Sequence, residues 1–346
     1  MIKCRAHLNN VARTRQDYLT RQGLVRLGMN EYVPAMPAKL FRAVMRGFSR
    51  ELASSYPETK RAYIALSRFI GQPEGRLIMT SGADMGIRMT LETFCAPGDT
   101  VATLAPTFAM YEVHSSLLAC RYKTAVCDAQ GAYSDGDLLS LSEMGAKAIV
   151  LANPNGVTGF EFSLERLRPL AAKAARKDTL LLIDETYADF GTVDASPLIE
   201  EFPNVVIVRS FSKNVGLAGV RAGYILAGER LARMIEKNRP MMELNSLAVA
   251  AVSAVCADKR LFAKTVSEIT TAREEFASRL KRMGLTVISR SGNFVLVDPG
   301  IKRAEILSRL DRHRVEYKRL SAPLKGFIRV TAGSRAVMRS VARLFR

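Results

Sequence analysis

Lys213 stands just past an apolar run, Val205 to Ser210, with Ser210-Phe211-Ser212 in front of it and the glycine-rich stretch GLAGVRAGY, carrying Arg221, behind it. Lysine is the usual amine for covalent chemistry on carbonyls once burial or cationic neighbours lower its pKa. A strand-end lysine flanked by hydroxyls and an arginine therefore suits a Schiff base beside a phosphate site. Ser81-Gly82-Ala83-Asp84 follows a second apolar run, Leu77 to Thr80, and opens a stretch of helical periodicity. Small residues at a helix start let backbone N–H groups approach a phosphate closely. Asp184 ends a third run, Leu180 to Asp184. A carboxylate there could hold the proton of a pyridinium nitrogen, which is what pyridoxal phosphate needs to act as an electron sink. Taken singly these features are weak, since lone lysines are mostly surface charges, strand-end aspartates commonly cap helices, and Asn153-Pro154-Asn155 reads as a turn. Their combination and order join them.

The elements that must position these groups follow from periodicity. Short apolar runs at Leu77 to Thr80, Val101 to Leu104, Ala148 to Ala152, Leu180 to Asp184, Val205 to Ser210 and Gly223 to Leu226 alternate with stretches such as Asp84 to Phe94 and Leu164 to Arg176. In those stretches apolar residues recur three and four apart. This predicts an α/β fold, a mostly parallel sheet covered by helices on both faces. Functional groups of such sheets gather past the carboxyl ends of the strands, where the polar clusters of this chain fall. After Glu229 come helical stretches at 229–238, 245–257 and 260–284. Strand-like runs at Asn293 to Val297 and Phe327 to Thr331, with a helix at 303–313 between them, predict a smaller α+β lobe. The expected division is an N-terminal arm (1–35) joining the small domain, a large domain (36–240) and a small C-terminal domain (241–346).

Composition narrows the classes. The 346 residues are 48% hydrophobic and 24% charged, ordinary for a globular protein with a sizeable core. No apolar run is long enough for a membrane span and the start MIKCRAHLNN lacks an apolar signal core, so a cytoplasmic protein with no membrane partner is expected. The five cysteines are scattered without a CxxC pair and the three histidines stand apart, which argues against a disulfide framework and predicts no metal site. The net charge of +18 is concentrated between residues 302 and 346, where Arg335, Arg339 and Arg343 fall on one helical face. That pattern is read as a solvated basic face, and no nucleic-acid-binding motif accompanies it.

The order of these motifs resembles the fold-type I pyridoxal-phosphate aminotransferases, in the branch of histidinol-phosphate aminotransferase. The segments that carry the resemblance include RLGMNEYVPAMP (26–37), SSYPETKRAYIALSRFIG (54–71), TSGADMGI (80–87), NPNGVTGF (153–160), IDETYADF (183–190), RSFSKNVGLAGVRAGY (209–224) and IRVTAG (328–333). The resemblance implies a seven-stranded mixed, mostly parallel sheet in the large domain, and pyridoxal 5'-phosphate as cofactor. It implies Lys213 as the Schiff-base lysine and proton shuttle, Asp184 on the pyridine nitrogen and Tyr187 on the phenolic oxygen. The phosphate would be held by Gly82, Ala83, Asp84, Ser210, Ser212 and Arg221, with Tyr56 reaching in from the other subunit of a homodimer with shared sites. Phe108 would stack on the ring. Arg329 would grip a substrate carboxylate, with Arg319 and Asn30 as further substrate residues.

The departures bear on the substrate. The family's Asn-Pro-Asn-Asn-Pro-Thr-Gly reads Asn153-Pro154-Asn155-Gly156-Val157-Thr158-Gly159, so the asparagine that usually meets the phenolic oxygen aligns with Gly156, and Asn155 is the candidate to substitute. The expected activity is transfer of an amino group between an amino acid and a 2-oxo acid or phosphorylated carbonyl compound. The alternative is an amino-acid decarboxylase resembling threonine-phosphate decarboxylase, because the bond that breaks depends on how substrate lies against the ring. A nucleic-acid-binding regulator on an inactive aminotransferase domain would need an added module for which no residues are left.

Overall fold

A computed structural model describes residues 2–11 and 21–346; residues 12–20 of the expected arm lie outside the described residues. A short strand β1 (Val25–Arg26) precedes the main sheet, which is built from β2 (Leu77–Thr80), β3 (Thr100–Ala105), β4 (Arg121–Val126), β5 (Ala148–Ala152), β6 (Leu180–Asp184), β7 (Val205–Ser210) and β8 (Gly223–Ala227). Its seven strands lie in the order β2-β8-β7-β6-β5-β3-β4, and only β8 runs antiparallel to its neighbours. Strands buried on both faces read as unbroken apolar runs, as the expected runs do. Alternate residues feed two cores: Ile149, Leu181, Ile183 and Ile207 on one face, Val150, Leu182, Val206 and Val208 on the other.

β4 lies outside the predicted set. Its sequence RYKTAV is mostly exposed at the sheet edge, where charged side chains discourage pairing with a foreign strand.

The smaller lobe holds β9 (Thr286–Ile288), β10 (Phe294–Asp298), β11 (Val315–Glu316), β12 (Lys318–Arg319) and β13 (Ile328–Thr331). Four of them form a sheet in the order β12-β13-β10-β9, while β11 pairs in parallel with β1. Leu27 and Val33 of the arm are buried in this lobe's core with Phe276, Ile306 and Val330.

The expected domain boundary at residue 240 needs correction. The Ser246–Ala257 helix, apolar nearly all round, buries Ala248, Val249, Ala251 and Val252 in the core of the large sheet rather than in the small lobe. The transition runs along the Lys259–Arg282 helix, whose Leu261 and Phe262 pack on the large core and whose Ala272, Phe276 and Leu280 belong to the small one. Among the described residues no helix is long and apolar enough to cross a membrane, and no group of side chains could hold a metal ion.

Candidate active site

The parallel strands deliver their carboxyl ends to one edge. Because β8 is antiparallel, its first residue Gly223 pairs with both Thr80 and Ser210, which draws the turns after β2 and β7 together. A Cβ on Gly223 would stand 2.7 Å from the Gly82 carbonyl carbon and 2.8 Å from Ala83 N, so only glycine permits this approach.

Gly82 caps the Ala83–Phe94 helix at φ +85°, a conformation that favours glycine. Arg221 lies against it: a Cβ on Gly82 would meet Arg221 Nη2 at 2.6 Å, and that nitrogen donates to Ser81 O at 3.2 Å. Glu243, which sequence reasoning missed, accepts from Ser81 N at 2.6 Å. Asp84 Oδ1 lies 2.9 Å from His114 Nε2. The Ser210 hydroxyl accepts from Ser212 N at 3.1 Å, and both serines are buried. Lys213 follows on the same turn, held from behind by Asn214, whose amide donates to Asp189 at 2.5 Å and to Ser210 O at 3.2 Å.

Asp184 is 5% exposed. It accepts from Thr186 N at 2.9 Å and from the fully buried Tyr111 hydroxyl at 2.5 Å. Burial pushes its pKa up, and the two hydrogen bonds offset only part of that. Tyr111 was not foreseen, because a helical tyrosine 73 residues away looks like core. Glu185, next in sequence, faces elsewhere, pairing at 2.7 Å with Arg209, which also bonds Asp194.

Three consecutive residues of the arm close the site. Lys213 Nζ donates to Met29 O at 3.0 Å, and Arg329 Nη2 donates to Gly28 O at 3.0 Å. Asn30, 1% exposed and at φ +56°, donates from Nδ2 to the Tyr187 hydroxyl at 2.8 Å and to Gly156 O at 3.3 Å. Arg329 Nη1 donates to the same Gly156 O at 2.6 Å, and its guanidinium lies over the Phe294 ring, 5.3 Å from the centroid. Burial pulls the Arg329 pKa below its ordinary value, and Nε is buried without a partner among the described residues.

The structure thus brings Lys213, Tyr187, Arg329 and Asn30 together. It separates two expected residues from their assigned tasks. Asn155 is committed to its own loop, where Oδ1 accepts from Val157 N and Thr158 N at 2.8 and 3.0 Å and Nδ2 donates to Pro106 O at 3.1 Å, so it does not substitute at position 156. Arg319 pairs across the sheet with Ile328, while Lys318 pairs with Arg329. Side chains alternate along a strand, so Arg319 is on the face away from Arg329, where it donates to the Tyr317 hydroxyl at 3.2 Å beside Arg303 and Arg312. Phe108 is 43% exposed at the site's edge, edge-on to Tyr111, and Tyr56 is 78% exposed.

A family model described as aminotransferase class I and II matches residues 22–345. A histidinol-phosphate aminotransferase of Geotalea daltonii is 30% identical over 345 residues, covering 98% of this chain and 97% of that one. Among solved structures, histidinol-phosphate aminotransferase from Sinorhizobium meliloti in complex with pyridoxal-5'-phosphate superposes with a TM-score of 0.88 at 25% identity, covering 100% of this chain and 98% of that one. An aspartate aminotransferase of Thermus thermophilus shares the fold, with a TM-score of 0.81 at 18% identity over 100% of this chain and 99% of that one.

Proposed function

The chain belongs to the class I and II aminotransferases, and from that premise we propose that it binds pyridoxal 5'-phosphate at Lys213 and transfers an amino group between an amino acid and a 2-oxo acid or phosphorylated carbonyl compound. The observation that carries this reading is Asp184: a buried carboxylate with no cation bonded to it among the described residues, which a protonated ring nitrogen would complement. The Gly82 cradle, open to backbone N–H groups at a helix start and flanked by Arg221, suits the phosphate. When bound, the cofactor supplies the electron sink that accepts carbanion charge from the substrate.

This chain's residues supply the rest. Tyr111 and Thr186 fix the Asp184 carboxylate, which would pair with the protonated ring nitrogen. Lys213 Nζ would anchor the cofactor and would serve as the base that takes the proton from substrate Cα. Tyr187 would donate to the phenolic oxygen, Phe108 would cover the ring, and Ser210, Ser212, Ala83, Asp84 and Arg221 would hold the phosphate. Arg329 leaves the Gly28 and Gly156 carbonyls to take a carboxylate in two parallel bonds. Tyr56, exposed on the isolated chain, completes the phosphate site of a second copy in a homodimer.

Borohydride reduction followed by peptide mapping tests the reading and is expected to place the pyridoxyl group on Lys213. A pyridoxyl group on any other lysine overturns the assignment. Stoichiometric conversion of the amino donor to its oxo product, without release of carbon dioxide, separates transfer from decarboxylation.

A further inference from the structure

We infer that Asn30, acting through Tyr187, takes over the task that the resemblance gives to the asparagine missing at position 156. The inference rests on the cofactor reading above, and it changes the role expected of Asn30 from substrate contact to positioning residue. Gly156 brings no side chain, and the space beside it is filled: a Cβ there would stand 2.6 Å from Tyr187 Cε2. The tyrosine ring lies against the glycine. Asn30 reaches the same place from 126 residues away.

The orientation of the Asn30 amide follows from its neighbours. Gly156 O is a carbonyl and can only accept, so the side of the amide facing it is the nitrogen. The amide oxygen faces the Thr331 hydroxyl at 3.2 Å. Both Nδ2 hydrogens are then used, one on Gly156 O and one on the Tyr187 hydroxyl, which leaves none for a substrate. A tyrosine hydroxyl that accepts from Asn30 must direct its single proton elsewhere, and the phenolic oxygen of the cofactor is the acceptor that the proposed function places there. The bond to Asn30 thus orients the Tyr187 proton and strengthens it as a donor.

The backbone is arranged around this contact. Asn30 is held at φ +56°, where asparagine is among the few residues tolerated, by Asn30 N donating to Thr331 Oγ1 at 3.0 Å and by Asn293 Nδ2 donating to Asn30 O at 3.0 Å.

The test is the pH titration of the visible absorbance of the purified holoenzyme, without substrate. A hydrogen bond to the phenolic oxygen stabilises its negative charge and lowers the proton affinity of the lysine Schiff base beside it, so losing that bond raises the midpoint. Asn30→Gly removes the amide while keeping the positive φ, and is expected to raise the proton affinity about three- to tenfold, the size of one hydrogen bond. Tyr187→Phe is expected to raise it at least as much, and the double variant no further than Tyr187→Phe alone. Asn30→Asp, which keeps the volume but turns an acceptor toward Tyr187, is expected to raise it as well and decides the matter if Asn30→Gly does not fold. Unchanged midpoints, or shifts that add in full to that of Tyr187→Phe, overturn the inference. A wild-type protein with no titrating visible band overturns the cofactor reading instead.

Discussion

Placing a side chain at position 156 should damage this enzyme, although the motif that the sequence resembles has an asparagine there. In Gly156→Ala the new methyl carbon would start 2.6 Å from Tyr187 Cε2, 3.3 Å from Cζ and 3.4 Å from Cδ2. Ordinary contact begins at 3.4 Å, so the ring must retreat by about 0.8 Å, the difference between the two distances. It cannot do so freely: Phe294 packs edge-on against it with centroids 6.0 Å apart, and Asn30 Nδ2 holds its hydroxyl at 2.8 Å. Forcing extra volume into a packed site costs about 1–3 kcal/mol, and a catalytic group displaced by about 1 Å can lose on the order of a hundredfold in rate. The expected outcome is a folded, cofactor-loaded protein, melting a few degrees lower, with kcat down tenfold to a hundredfold and KM for the amino donor little changed. Steady-state kinetics and a thermal melt on the same preparation measure both quantities. A Gly156→Ala enzyme within twofold of wild-type kcat would refute the argument, because the ring would then have room that the structure does not give it.

With Asp184 facing the ring nitrogen as proposed, the cofactor's contribution to stability should depend on pH. Burial raises its folded-state pKa, so in the apoprotein the carboxyl favours folding at low pH, and that contribution is lost as pH rises through the raised value. A cationic ring nitrogen restores it. The melting-temperature gap between holo and apo protein should therefore widen as pH climbs above the ordinary carboxylate range and flatten in Asp184→Asn; a gap that narrows with pH in the wild type would contradict this. For substrates with a second anionic group, Lys318→Ala should raise KM about two- to fivefold, as expected of an exposed ion pair. Arg319→Ala should leave KM unchanged, since its side chain is on the other face of the sheet; the reverse result would mean that the β12–β13 register is different. In sedimentation the protein should be a dimer, and Tyr56→Phe should keep that dimer while weakening cofactor affinity about five- to tenfold, the size of one lost hydrogen bond. An active monomer would remove Tyr56 from the site.

The sequence was most readable where burial on two faces leaves continuous apolar runs, as in Leu180 to Asp184, and where a polar turn follows a strand end directly, as after Ser210. It was least readable where partners are distant. Tyr111 and Asp184 are 73 residues apart, and Asn30 and Tyr187 157, so neither pair leaves a local signal. Arg319 shows a different limit. One position along a strand reverses the face of a side chain, and nothing in YKRLSAPLKGFIR states the register. The Ser246–Ala257 helix has a nearly uniform apolar surface, which says that it is buried without saying in which core.

The three-residue closure at Gly28, Met29 and Asn30 has a consequence for how the protein is made. Every strand of the main sheet lies between residues 77 and 227, so the platform for the cofactor can assemble while the ribosome is still translating the second half of the chain. The closing segment cannot settle then. Its anchors are β11, which pairs with β1, and Thr331, whose backbone N–H and hydroxyl both reach Leu27 O, 304 residues distant. An early part of the nascent chain must wait for one of the last, and the lysine, the tyrosine and the arginine acquire their common lid only after synthesis is nearly finished.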